Sequence, residues 1–241
     1  MTLRREWEAN AQDFAAWVRT PGHDSYDRFH RDQFFSMLPA PGRLTLDLGC
    51  GEGRVSRDLR ARGHHVVALD ASPTMVSLAR AADPTIPVVH GDASALPFAD
   101  ASADLVVHFM SLHDIDDLER AVAEAARVLD PGGRLCLAIV HPFSSAGRFT
   151  SLEEDSPFVV EGSYLTPHRT QDTVARAGLS VTFHSAHRAI AAYFAAFEQA
   201  GFLVESLREP AIPEEAWGTA SARRWQRLPI FLHIRAVKPS G

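Results

Sequence analysis

The chain reads as a doubly wound α/β fold, a mostly parallel sheet with helices on both faces. Three observations predict it. Short apolar runs alternate with helix-length segments through residues 43–142, the spacing of βαβ units. The runs are apolar throughout, as in strands covered on both faces. The first run, Leu44-Thr-Leu-Asp-Leu48, feeds a turn with glycine at every second position, Gly49, Gly51 and Gly53, and a helix follows.

Taken in order, residues 1–38 read as helical, broken at Pro21-Gly22, and carry Trp7, Phe14, Trp17, Tyr26, Phe29, Phe34 and Phe35. So many aromatic rings ahead of the first strand predict a cap. Pro39-Ala-Pro-Gly42 is a turn, and the first strand spans about 43–48. A helix over about 53–61 stops at Gly63. The second strand, His65–Leu69, closes at Asp70. Ser72-Pro73 then supplies an N-cap and a proline at the first helical position of a helix that continues through Thr74–Ala81. Val88-Val89-His90 is the third strand, closed by Gly91-Asp92, and Ala93–Ser102 is a loop. Ala103–Phe109 is the fourth strand. A helix over about Leu118–Leu129 stops at Asp130-Pro-Gly-Gly133, and Arg134–Val140 is the fifth strand, ending at His141-Pro142. Residues 143–180 read as polar and irregular, interrupted by Pro157, Gly162, Pro167 and Gly178, a long connection of the kind that is usually functional or disordered. Val181–His184 is a short strand and Ala189–Gln199 a helix. Phe202–Leu207 and Leu228–Val237 are two final strands paired antiparallel.

Composition bounds the partners. With 241 residues, 46% hydrophobic, the chain suits one compact domain with an elaboration. A net charge of −6 without a Lys/Arg-rich run argues against binding nucleic acid or an anionic membrane. Cys50 and Cys136 lack metal-ligand spacing, which suits a reduced, cytoplasmic compartment. No apolar run reaches the roughly 18 residues of a membrane span, and the N-terminus lacks a signal-peptide apolar segment.

The glycine turn narrows the ligand. A dinucleotide fingerprint, G-x-G-x-x-G, needs glycine where Arg54 stands. Asp47, in the approach to the turn, opposes a pyrophosphate and attracts an amine and a sulfonium. The turn therefore favours S-adenosylmethionine (SAM) over NAD.

Leu46-Asp-Leu-Gly-Cys-Gly-Glu-Gly53, Val67-Ala-Leu-Asp-Ala-Ser-Pro73 with Met75, Gly91-Asp-Ala-Ser-Ala-Leu-Pro-Phe98, Ala103-Asp-Leu-Val-Val107 and Arg127-Val-Leu-Asp-Pro-Gly-Gly133 follow one another in a recognisable order. Together they make the chain resemble the class I SAM-dependent methyltransferases, in the ubiquinone/menaquinone-methyltransferase-like group that acts on small molecules. The resemblance covers about residues 43–142. It implies a Rossmann-like, seven-stranded, mostly parallel sheet with an antiparallel last strand. It also implies a division into an N-terminal helical cap (1–38), a SAM-binding core (39–142), a substrate-lid insertion (143–187) and a closing helix and strands (188–241).

The resemblance assigns roles as well. Gly49, Gly51 and Gly53 admit the methionine part of SAM, with Cys50 a packing residue of the same turn. Asp47 lies near the ligand's amino group. Asp70 takes the ribose hydroxyls, with Ala71 and Met75 beside the adenine. Asp92 and the Ala93 N–H take the adenine edge, and His108 and Phe109 sit under the reactive end. A base is needed only if the acceptor loses a proton, and histidine titrates in the useful range. The candidates are His141, His113 and His187, in that order. Trp17, Tyr26, Phe143, Tyr164, Tyr193 and Phe197, with His113 and His141, are the expected substrate chamber. No metal is expected. The activity expected is methyl transfer to O, N or C of a small aromatic or heteroaromatic metabolite, by a monomer or homodimer. The alternatives are a non-catalytic SAM-binding module and, less favoured, a nucleic-acid or protein methyltransferase.

Overall fold

The computed structural model describes residues 2–216 and 223–240. The N-terminal segment forms α1 (Leu3–Ala9), α2 (Ala11–Arg19), a π-helical turn over Tyr26–His30 and α3 (Arg31–Phe35), with the break at Pro21-Gly22 as expected. The core then alternates as the apolar runs predict: β1 (Thr45–Leu48), α4 (Arg54–Ala61), β2 (Val66–Asp70), α5 (Pro73–Ala82), β3 (Val88–His90), β4 (Ala103–Phe109), α6 (Leu118–Val128) and β5 (Leu129–Val140). The Ser72-Pro73 capping signal acts as read, and α6 has a cap the sequence reading did not name. Ser72 Oγ accepts from Met75 N at 3.0 Å with Pro73 at the first helical position, and Asp117 caps α6 by accepting from Arg120 N.

The insertion corrects the sequence reading. Residues 143–180 are not irregular. They hold α7 (Pro142–Ser145), a small hairpin of β6 (Gly147–Phe149) and β7 (Phe158–Val160), and β8 (His168–Arg176). The expected short strand is the nine-residue β9 (Leu179–His187), paired with β8 along its whole length. The turn between them, Ala177-Gly178, has both residues at positive φ, as a type I′ hairpin turn requires. Alanine is an unusual residue for that conformation, so the turn carried no Asn-Gly signal. Leu179, Val181 and Phe183 do alternate, and they face Trp17, Val18 and Phe14 of the cap.

α8 (Ile190–Gln199), β10 (Leu203–Arg208) and β11 (Phe231–Val237) close the fold. The sheet order is β10-β11-β5-β4-β1-β2-β3, with β11 antiparallel to both neighbours and the remaining pairs parallel. All of β1 is buried. Leu46, Leu48, Val106, Leu135 and Leu137 meet α6 and α8 on one face. Ala68, Leu105, Val107, Cys136 and Ala138 meet α4, α5 and Phe34 on the other.

Candidate active site

The strand order reverses between β1 and β4, so the loops leaving their carboxyl ends part and open a crevice there. A cavity of about 200 Å³ lies at this point. Its floor is Gly49, Gly51, Asp70, Ala71, Ser72 and Met75. One wall is Asp92, Ala93 and Ser94. The other is the segment after β4: Met110, Ser111 and Asp114 to Asp117. Its roof is Arg4 and Trp7 of α1 and Phe14 of α2.

The floor is built around two acids, the buried Asp47 and the half-buried Asp70. Asp70 accepts from Gly51 N at 2.8 Å through one oxygen and from Ser72 N at 2.9 Å through the other. Burial raises its pKa, and those N–H groups act the other way. Asp47 accepts the Ser56 hydroxyl, and burial pushes its pKa up to about 7 against that bond, with the Asp70 charge adding to the rise. Gly49, at φ +73, packs on Ser111 so closely that a Cβ would lie 2.4 Å from the Ser111 Cβ. Ser111 Oγ donates to Leu48 O at 2.7 Å, so it accepts from His108 Nδ1–H at 2.9 Å. Met110 beside it holds φ +54, a strained value for a side chain of that size and one of the few such in the chain.

The roof is fastened by the insertion. Trp7 Nε1 donates to His184 O at 2.8 Å, and the Trp7, Phe14 and Phe183 rings meet edge to face. The Glu8 carboxylate accepts the hydroxyls of Ser72 and Thr74 at the start of α5. α1 is thereby tied both to the hairpin and to the floor.

Of the residues expected to touch the cofactor, Gly49, Gly51, Asp70, Ala71, Met75, Asp92 and Ala93 border the cavity. Asp92 accepts from the N–H and hydroxyl of Ser94. Asp47, Cys50, Gly53, His108 and Phe109 do not border it. Asp47 orders the turn through Ser56, and Cys50 and Phe109 are buried in the apolar face beneath. Gly53 starts α4 against Ala79, and the His108 ring lies wholly within the sheet.

The histidines stand elsewhere. His141 Nδ1 accepts from Phe143 N at 3.0 Å, so its proton is on Nε2, 2.9 Å from Glu209 Oε1, and no lone pair remains for a base. His187 has both nitrogens engaged, by Ser145 Oγ at 2.7 Å and Tyr164 O at 2.8 Å. His113 is buried behind the wall, and burial with the Arg188 charge pushes its pKa down to about 3. None of the three borders the cavity.

The expected substrate chamber is dispersed for a related reason: each ring is spent on joining elements. Trp17 packs on the β8–β9 hairpin. The Tyr26 hydroxyl donates to Asp58 at 2.7 Å and its edge meets Phe109. Phe143 stacks on Phe158, and Tyr164 Oη accepts from Ile190 N. Tyr193 and Phe197 fix α8 to the sheet. The rings that do face the cavity, Trp7 and Phe14, were legible only as part of an aromatic-rich cap.

Comparison with known proteins agrees with this geometry. A family model described as "Methyltransferase domain" matches residues 46–137. An uncharacterized methyltransferase of Mycobacterium tuberculosis is 45% identical over 101 residues, 42% of this chain and 41% of that protein. A demethylmenaquinone methyltransferase of Renibacterium salmoninarum is 41% identical over 103 residues, 42% of this chain and 44% of its own. These matches therefore span less than half the length of the curated relatives. An S-adenosylmethionine-dependent methyltransferase structure from Mesorhizobium loti superposes with a TM-score of 0.72 at 25% identity, over 86% of this chain and 96% of that one.

Fold and site define an α/β protein with a cavity at the switch point of its sheet, floored by glycines and an acid. Residues 46–137 resemble a methyltransferase domain, and the chain shares its fold with SAM-dependent methyltransferases, whose cofactor is S-adenosylmethionine. The residues present fit that group. Asp70 borders the cavity with lone pairs left beside its two backbone bonds, able to accept from hydroxyl groups, and Gly49 and Gly51 leave their part of the floor free of side chains.

Proposed function

We propose that this protein transfers a methyl group from SAM to O, N or C of a small aromatic or heteroaromatic acceptor bound under α1 and α2. The observation that carries this is a cavity with an acid-and-glycine floor, bordered by Trp7 and Phe14 of the chain's own helices. SAM supplies an electrophilic methyl carried on a sulfonium. In this reading Asp70 takes the ribose hydroxyls, Asp92 and Ala93 take the adenine edge, and Gly49 and Gly51 admit the methionine part. The acceptor occupies the side bounded by the roof and by the segment after β4. Trp7 and Phe14 offer it apolar aromatic rings. Alignment of this kind is worth up to roughly 7–11 kcal/mol in ideal cases. A polyanion is disfavoured, because the cavity wall carries Asp92, Asp114, Asp116 and Asp117 against Arg4. Among the described residues no helix is long and apolar enough to cross a membrane, and no three side chains are grouped to hold a metal.

The test is calorimetric titration with S-adenosylhomocysteine, followed by transfer of labelled methyl from SAM to a panel of phenols, quinols and heteroaromatic N–H compounds. One relative's name puts a demethylmenaquinone-type ring in the panel. Micromolar binding and methylation of one acceptor class are expected. No binding of S-adenosylhomocysteine would sink the proposal.

A further inference from the structure

With the three histidines turned away, the cavity still has to be searched for a group able to take a proton. Five carboxylates line it: Asp70, Asp92, Asp114, Asp116 and Asp117. Hydrogen bonding and burial together separate them. Asp70 holds Gly51 N and Ser72 N. Asp92 holds Ser94, with Arg4 at 3.9 Å from its other oxygen. Asp116 holds Leu3 N and the Arg169 guanidinium. Asp117 caps α6 through Oδ1, and the Oδ2 atoms that Asp92 and Asp117 leave without a hydrogen bond belong to open side chains. Asp114 differs. Its Oδ1 accepts from Ser185 Oγ at 2.7 Å, while its Oδ2 takes no hydrogen bond from the described residues. Its side chain is only 14% exposed, and it borders the cavity three residues beyond Ser111, which packs on Gly49.

The geometry points to Asp114 as the base of the reaction proposed above, receiving the proton of an acceptor O–H or N–H on its free Oδ2. The inference rests on that reading. It narrows the acceptor to a neutral molecule with a weakly acidic O–H or N–H, since the neighbouring carboxylates oppose an anion. As the bond from the acceptor O or N to the methyl carbon forms, the methyl–sulfur bond breaks and sulfur keeps its electron pair. The acceptor's proton passes to Asp114 and later to water, and no oxidant or reductant enters.

The surroundings suit the task. Ser185 of β9 orients the carboxyl. Arg188 is held by the carbonyls of Ile115 and Asp116, and Tyr193 of α8 and His113 of the same turn, whose Nε2 lies 3.4 Å from Oδ1, face it as well. Burial holds the carboxyl well above the usual carboxylate range, against the Ser185 bond and the Arg188 charge. A carboxyl so raised works nearer to neutral pH as a base. The sequence held no sign of this, because Ser185 and Asp114 are 71 positions apart.

The test uses Asp114→Asn and Ser185→Ala in the full chain. Carbon-13 NMR of labelled aspartate carboxyls in the free protein is expected to show resonances that titrate above the surface acids, Asp47 and Asp70 among them, one of which is absent from D114N. S-adenosylhomocysteine should bind D114N within about threefold of wild type, while methylation of the panel acceptor falls by roughly 10²–10⁴-fold. S185A should keep its affinity for S-adenosylhomocysteine and move the acid limb of the rate profile to higher pH. An Asp114 carboxyl that titrates with the surface acids overturns the assignment. So does wild-type turnover in D114N, or a loss of S-adenosylhomocysteine binding that tracks the loss of turnover. If wild type itself does not bind S-adenosylhomocysteine, the methyl-transfer reading fails, and the NMR titration still decides whether Asp114 is the raised acid.

Discussion

Asp70 does two things at once: it fixes the glycine turn through Gly51 N and presents the rest of its lone pairs to the cavity. Its burial is costly to the folded protein, which is why its pKa rises. Replacing it with asparagine keeps an acceptor for one N–H and removes the charge. Asp70→Asn is therefore expected to leave the melting temperature nearly unchanged while weakening S-adenosylhomocysteine binding by ten- to a hundredfold, the worth of about 1.5–3 kcal/mol for charge-assisted bonds. Calorimetry beside a thermal melt checks this, and unchanged affinity would remove Asp70 from the ribose site. Asp70, Asp92 and the glycines were legible because a backbone that must approach a ligand without side chains, ended by an acid at a strand terminus, is a local pattern. Asp114 was not, since its meaning comes from the partner it meets across the fold.

At the scale of elements, the N-terminal segment is held to the sheet by a contact that titrates. His30, in the π-helical turn, lies with its Nε2 2.8 Å from Nε2 of His233 on β11, and its ring stacks on Phe231. One nitrogen must carry the proton and the other the lone pair, so the bond breaks if both rings are protonated, and burial opposes even one charge there. Burial, with the Arg208 charge, pushes His233 down to about 4. Burial, His233 and Arg54 lower His30 as well. Folded values below the unfolded one mean that stability is complete above about pH 6.5 and is lost as pH falls from there toward about 4, amounting to about 3 kcal/mol for His233 alone. Urea unfolding from pH 7.5 to 4.5 should show that loss in wild type and a flatter dependence in the His30→Phe/His233→Phe double variant. Equal slopes would refute the coupling. The core elements were readable from apolar runs, caps and glycine stops. The β8–β9 hairpin was not, because most of it is exposed and its turn uses alanine at positive φ.

For the molecule as a whole, the cavity joins parts that are distant in the chain: floor from residues 49–75, walls from 92–94 and 110–117, roof from 4–14, and a clasp from 182–184. A ligand bound there is therefore expected to steady the cap as well as the core. At a hundredfold excess over its Kd, S-adenosylhomocysteine should add about 2.7 kcal/mol. For a chain of this size that raises the melting temperature by roughly 5–10 °C. Hydrogen exchange should slow in α1, α2 and β9 along with the glycine turn. Protection confined to residues 46–93 would show that the roof does not close on the cofactor.

The sequence alone determined the α/β core, the order of its strands along the chain, the glycine turn and the acids at the ends of β2 and β3. These rest on periodicity and on local backbone demands, which short segments carry in themselves. Tertiary structure alone decided which rings roof the cavity, which histidines are tied up in packing and which carboxylate remains open. Those outcomes depend on hydrogen bonds and burial between segments as far apart as Trp7 and His184, and no local pattern encodes such a meeting.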